Sequence, residues 1–169
     1  LLEHTAAFTA FPNDGLRVVP RYIERVESYR GGPIGEHSPQ VIEVLPAPIA
    51  RLVVSMLREV INSGTARRAR DLKFPVAGKT GTTNDYSDAS FIGFSPSITC
   101  GVWVGFDDRK SLGSKEEGAR VALPIWIEFM RKAHQNKSPE EFTHSPLLKF
   151  PHQVKEILNS TGNPQDAGQ

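Results

Sequence analysis

The chain carries one cysteine, Cys100, in 169 residues. A single thiol excludes an internal disulfide framework and a zinc site built on cysteines, and says little about compartment. Long apolar runs are missing as well. No stretch approaches the roughly 20 residues needed to cross a bilayer, and no signal-peptide pattern is present. Neither sign of charge is in excess. The formal net charge is +1, so no global field argues for nucleic acid or a membrane surface as partner. Internal repeats are absent. What is present is 38% hydrophobic and 23% charged, the mix of a soluble globular protein, in a chain long enough for one domain with a sizeable core.

Leu1 to Asn13 reads as a helix ended by Pro12 and Gly15. No Ser, Thr, Asp or Asn precedes it as a cap, which raises the expectation of a chain that begins inside an element. Val18 to Ile42 is rich in β-formers. Arg30-Gly31-Gly32-Pro33 is expected to turn it, and Gln40–Val44 to return as a strand. Ala47–Asn62 is the cleanest helix. Ile49, Leu52, Val53, Met56, Leu57, Val60 and Ile61 recur at its period, with Pro48 in the first turn and Gly64 at the end. Thr65 to Lys73 is then a polar connection. Its basic residues Arg67, Arg68, Arg70 and Lys73 have the composition of a solvated loop rather than a nucleic-acid site.

Three strands are expected at Val76–Thr83, Ala89–Phe94 and Thr99–Phe106, joined by connections short enough for an antiparallel meander. In the third, Cys100, Val102, Val104 and Phe106 alternate with Thr99, Gly101, Trp103 and Gly105. One face is apolar. The other is mostly small, as if a helix or backbone lies close. Val121–His134 is expected as a second amphipathic helix, with Ile125–Phe129 and Trp126–Met130 pairs on its core face. Residues 135–169 are polar and proline-containing. They are expected to be irregular or disordered, with a short helix at His152–Asn159.

The centre of the meander, Gly78-Lys79-Thr80-Gly81-Thr82-Thr83, concentrates a cation, hydroxyls and glycines. A phosphate loop is one anion-binding reading. It needs a glycine five residues before Gly78 and a helix after the lysine. Lys73 stands at the first place, and Gly81-Thr82-Thr83 follows Thr80, so that reading fails twice. A second reading is a ligand-binding edge strand. Alternation puts Thr80 and Thr82 on one face and Lys79 and Gly81 on the other. Two hydroxyls and a nearby ammonium can grip a carboxylate, and the glycines admit an extended peptide alongside. The bare triplet is also what a solvent-facing strand would contain.

The wider context is more specific. AGKTGTTND, DASFIGFSP, GVWVGFDD and ALPIWIEFM, in that order, resemble the C-terminal part of the transpeptidase domain of class A, bifunctional penicillin-binding proteins. The AFTAFPNDG, RVVPRYIERVE and SMLREVINSGTA segments agree in order and spacing. The similarity covers Leu1 to His134 and not the tail. It implies an α+β fold, a mainly antiparallel sheet flanked by helices, as a part of the β-lactamase/penicillin-binding transpeptidase-like architecture. It implies residues 1–134 as the C-terminal portion of such a domain and 135–169 as a tail. It implies acyl transfer by a serine on peptidoglycan stem peptides ending in D-Ala-D-Ala, with β-lactam antibiotics as mimics, no cofactor and no metal. Lys79, Thr80, Gly81, Thr82 and Thr83 then hold the substrate. Lys79 and Thr82 take catalytic roles, Lys79 in a proton relay and the Thr82 N–H in the oxyanion hole.

The departures are as informative. The family's S-x-x-K and S-x-N motifs occur nowhere; Ser55-Met56-Leu57-Arg58 is the nearest approach. The nucleophile is therefore expected upstream of this chain, and the chain alone is expected to be inactive. Its partners then include that upstream part of the domain, and its location is extracytoplasmic, anchored by an upstream segment. No histidine lies beside a serine in a recognisable sequence arrangement; His4, His37, His134, His144 and His152 read as surface or structural. Ser90 stands where the family often has a large aromatic. A DD-carboxypeptidase or serine β-lactamase-like hydrolase is the alternative within the fold. A non-catalytic module binding cell-wall peptides is the alternative of another class.

Overall fold

The computed structural model describes residues 1–114 and 116–143. The expected helix at 152–159 lies outside the described residues. Helix α1 spans Leu2–Phe8 and α2 spans Ala47–Asn62, while α3 spans Ala122–Ala133. Strands β1 (Leu16–Val18) and β4 (Val41–Glu43) pair antiparallel, as do β2 (Arg25–Glu27) and β3 (Pro33–Glu36) between them. Strands β5 (Ala77–Thr82), β6 (Asp88–Phe94) and β7 (Thr99–Gly105) form an antiparallel sheet in the order β5-β6-β7. The architecture is α+β, as expected.

The sheet separates two apolar layers. On one side Phe91 of β6 meets Trp126, Leu123 and Met130 of α3, all fully buried. Phe91 and Trp126 cross edge-to-face at 4.9 Å, a geometry the ring quadrupoles favour. Trp126 donates its indole N–H to the Cys100 carbonyl at 3.0 Å, so its polar atom is satisfied inside the core. Gly93 makes room for it: a Cβ there would stand 2.8 Å from the indole and 2.9 Å from the Ala77 carbonyl. On the other side Phe94, Ala77 and Val54 pack with Phe8, Phe11 and Leu57. Gly101 lets α1 approach β7, since a Cβ would fall 2.1 Å from the Thr5 hydroxyl. The small face of the third strand thus does carry a helix.

Several expectations shift in detail. The buried line of α2 runs through Ala50, Val54, Leu57 and Ile61, while Met56 is 63% exposed. Those four positions keep helical spacing on a stripe rotated from the one that counting large apolar residues selects. In α3 the Trp126–Met130 pair is buried, but Ile125 and Phe129 are half-exposed. They lie about 100° round the helix from that pair, off the face that packs on the sheet. The polar connection after α2 contains a 3-10 helix, Arg67–Asp71, whose Ala69 is sealed along with Ala66 just before it. Residues 138–143 have irregular backbone. Even so, Phe142 is 5% exposed and packs edge-to-face on Phe94 at 5.8 Å, with the Arg58 guanidinium over its ring.

One histidine does meet a serine. His134, at the end of α3, has Nε2 2.9 Å from the Ser95 hydroxyl and Nδ1 2.9 Å from the Met130 carbonyl. A carbonyl only accepts, so Nδ1 carries a proton. Ser95 is 1% exposed and also accepts from the Ile98 N–H. The two residues stand 39 apart in sequence, which is why no local pattern marks them. Ser95 is sealed from any substrate, so the pair is a structural fastener rather than a nucleophile and its base.

Candidate active site

The Lys79 strand, β5, lies at one edge of the sheet. Its pairing with β6 sets Lys79 opposite Ile92, Thr80 opposite Phe91, Gly81 opposite Ser90 and Thr82 opposite Ala89. Just beyond the strand, Thr83 donates its N–H to the Asp88 carbonyl at 3.1 Å. An antiparallel ladder alternates bonded and non-bonded positions. With position 83 bonded inward, 81 and 79 also turn their backbone groups to β6. Thr80 and Thr82 therefore turn theirs outward, to the edge that β6 does not occupy.

The side chains converge on that edge. The Lys79 ammonium donates to the Thr80 carbonyl at 2.9 Å and to the Thr80 hydroxyl at 3.4 Å. The cation is thus beside the threonine, not across the sheet from it. The Thr80 hydroxyl also lies 3.0 Å from the hydroxyl of Thr65, between α2 and the 3-10 helix. Thr82 accepts at 3.0 Å from the Gly118 N–H. Lys79 and Thr82 are exposed; Thr80 and Gly81 are half-buried. The strand therefore presents an ammonium, two hydroxyls and two outward amides along one accessible line, an arrangement fit for an anionic ligand with an extended backbone.

Thr83 belongs to a different structure. Its hydroxyl accepts from the Asp88 N–H at 2.9 Å and contacts the Ser87 hydroxyl at 3.1 Å. Ser87 in turn donates to Asp85 at 2.9 Å. Hydrogen bonds from Thr83 and Ser87 hold the Asp85 carboxyl below the usual carboxylate range. This network shapes the β5–β6 turn, in which Tyr86 adopts φ +56°. Ser90 sits across the ladder between Gly81 and Trp103. The indole of Trp103 spans the strand and donates to Asp88 at 2.8 Å. Thr65 and Gly118 are the contacts that sequence reasoning missed. They come from 15 and 36 residues away, and neither carries a local signal.

An α+β domain with an edge strand fit for an anionic ligand is the class that this fold and this strand define. Residues 1–126 match the penicillin binding protein transpeptidase domain, and the chain belongs to that family. It is 48% identical over 145 residues to penicillin-binding protein 1A of Aquifex aeolicus, covering 86% of this chain and 20% of that protein. It is 34% identical over 196 residues to penicillin-binding protein 1A of Pseudomonas aeruginosa, covering 86% and 24%. The chain thus spans about a fifth to a quarter of the length of these curated relatives. Among solved structures, penicillin-binding protein 1A from Haemophilus influenzae superposes with a TM-score of 0.80 at 26% identity, over 86% of this chain and 28% of that one. Penicillin-binding protein A from M. tuberculosis, solved as an imipenem acyl-enzyme complex, shares the fold at a TM-score of 0.67 and 18% identity, over 79% and 31%.

Proposed function

We propose that this chain is the substrate-docking portion of a peptidoglycan DD-transpeptidase, the receiving side of a site whose attacking serine lies outside its sequence. The observation that carries the reading is the outward edge of β5, where the Lys79 ammonium stands beside the Thr80 hydroxyl. The ligand is a stem peptide ending in D-Ala-D-Ala, or a β-lactam that mimics it. Its carboxylate is held by Lys79, Thr80 and Thr82, and Gly81 leaves its backbone room beside the strand. A serine oxygen attacks the penultimate carbonyl, and charge develops on the carbonyl oxygen. The outward N–H of Thr82 donates to that oxyanion, a contribution whose loss typically costs about 10²–10³ in rate. Collapse expels the terminal D-Ala and leaves an acyl-serine. An amine from a neighbouring stem attacks in turn and restores the serine hydroxyl. Lys79 passes a proton between these groups. The reaction places the site outside the cytoplasm, where its substrate is. The rest of the transpeptidase domain, with the anchor, is the chain's expected partner.

Acylation by a fluorescent penicillin tests this. The full-length gene product should label, and its Lys79→Ala variant should label at least a hundredfold more slowly. The 169-residue chain alone should form no adduct, because it contains no S-x-x-K and nucleophilic activation needs a base within reach. A covalent adduct on the isolated chain would refute the placement of the nucleophile.

A further inference from the structure

We infer that Gly118 is a positioning residue for the docking strand: its backbone N–H orients the Thr82 hydroxyl so that the hydroxyl proton is left for the ligand. The inference rests on reading Lys79–Thr82 as the carboxylate-docking strand, and deepens that reading. A hydroxyl has one proton to give and lone pairs to receive. The Gly118 N–H occupies a lone pair of Thr82 Oγ1 at 3.0 Å. Among the described residues no acceptor takes the Thr82 proton in return. Thr82 is therefore a polarised donor, facing solvent on a strand whose ligand is an anion. Thr80 is arranged differently. Its hydroxyl accepts from the Lys79 ammonium but also lies against another hydroxyl, that of Thr65, which can take its proton. The direction of the Thr82 bond is set by a backbone amide, which can only donate.

The position admits no side chain. A Cβ on Gly118 would lie 2.4 Å from the Ser90 carbonyl oxygen and 2.7 Å from that of Gly81. Both are sheet backbone and cannot swing aside, so any larger residue must push the loop off the strand and lengthen the bond to Thr82. The loop is held in place from both ends. Behind it, Leu123 and Ala122 donate their N–H groups to the Gly118 carbonyl at 2.9 and 3.2 Å, and both are fully buried in the α3 core. Ahead of it, Leu112 donates to the Tyr86 carbonyl at 2.8 Å, tying the loop to the β5–β6 turn. Core packing of α3 thus reaches the docking strand through one amide.

The test is carried out on the full-length protein with a penicillin and with its carboxyl methyl ester, comparing acylation rates. Gly118→Ala should slow the free acid about tenfold, as expected for one weakened hydrogen bond to an anion, and leave the ester nearly unchanged. Thr82→Val should lower the acid-to-ester ratio similarly, Thr82→Ser should keep it, and the Gly118→Ala/Thr82→Val double variant should be no worse than Thr82→Val alone. If Gly118→Ala does not fold, replacing Gly118 by glycolic acid removes the N–H without adding bulk and should produce the same fall in ratio. Losses that multiply in the double variant, or that strike acid and ester equally, overturn the role of Gly118. A Lys79→Ala variant with an unchanged ratio overturns the docking-strand reading itself, and the two failures are distinguishable.

Discussion

The β5–β6–β7 sheet and the β2–β3 arm are both antiparallel and both rich in β-formers, yet they are stabilised in different ways. Along β6, positions 89 and 91 to 94 are all buried, because helices cover both faces. A one-residue slip there would exchange Phe91 with its neighbours and empty both cores at once. The arm has no such anchor. Tyr29 is fully exposed, Tyr22 is 86% exposed and Ile34 69%. Its register rests on a turn, in which Gly31 at φ +83° donates to the Ser28 carbonyl, and it carries an irregularity at Val26–Glu27. The lesson is that strand composition does not measure burial. Packing on both faces pins β6, on which the site strand β5 is registered, while the arm, among the described residues, is held by local bonds.

Truncating a side chain on each region should separate them most. Trp126→Ala should cost about 3–5 kcal/mol in chemical denaturation of the full-length protein, through lost burial and the cavity left behind. Ile34→Ala in the arm should stay within about 0.5 kcal/mol. Equal losses would show that the arm is packed after all. A smaller contrast comes from adding a methyl group. Gly93→Ala meets Phe91, Trp126 and the Ala77 carbonyl within 3 Å and should destabilise by about 1–3 kcal/mol. Gly35→Ala meets nothing within 4 Å. It should be neutral or stabilise by up to about 1 kcal/mol, by restricting the unfolded chain.

The smallest effect is electrostatic and lies outside the arm. Asp14 accepts from Arg51 of α2 at 2.7 and 2.9 Å, and that bond lowers its carboxyl below the ordinary value. A depressed folded value stabilises above the unfolded pKa, about 3.9. That stability is lost as pH falls from there through the folded value. Both groups are partly exposed, so the contribution is modest. Asp14→Asn tolerates the same left-handed backbone, φ +50°, and should flatten the acid limb of stability between about pH 4 and the folded value. An unchanged acid limb would show that the pair adds nothing.

These contrasts mark what the sequence could express. The bounds of α2 and, within about a residue, of β5, β6 and β7 are written in their periods, because each period records which face meets apolar matter. The shared face of Thr80 and Thr82 follows from the same alternation, whereas Lys79, which alternation puts on the other face, reaches back to the Thr80 hydroxyl. Partners are not recorded in a period. Thr65 and Gly118 reach the strand from other loops, Phe142 returns to the core from a polar stretch, and Ser95 finds His134 across 39 residues. The 3-10 helix hid because its charged residues outnumber its one buried alanine. Such contacts arise only when the chain closes on itself.

His134 offers a last consequence. Its imidazole lies face to face with the Phe74 ring, centroids 3.8 Å apart and planes within 7°. The circulating π electrons of the phenyl ring shield protons placed over its face, so the two carbon-bound imidazole protons should resonate upfield of those of a solvated histidine. His134 caps the C-terminus of α3, whose first two residues donate their N–H groups to the Gly118 carbonyl. In proton NMR it is a built-in lamp for the seating of that helix, readable in the intact protein while the docking strand is left untouched.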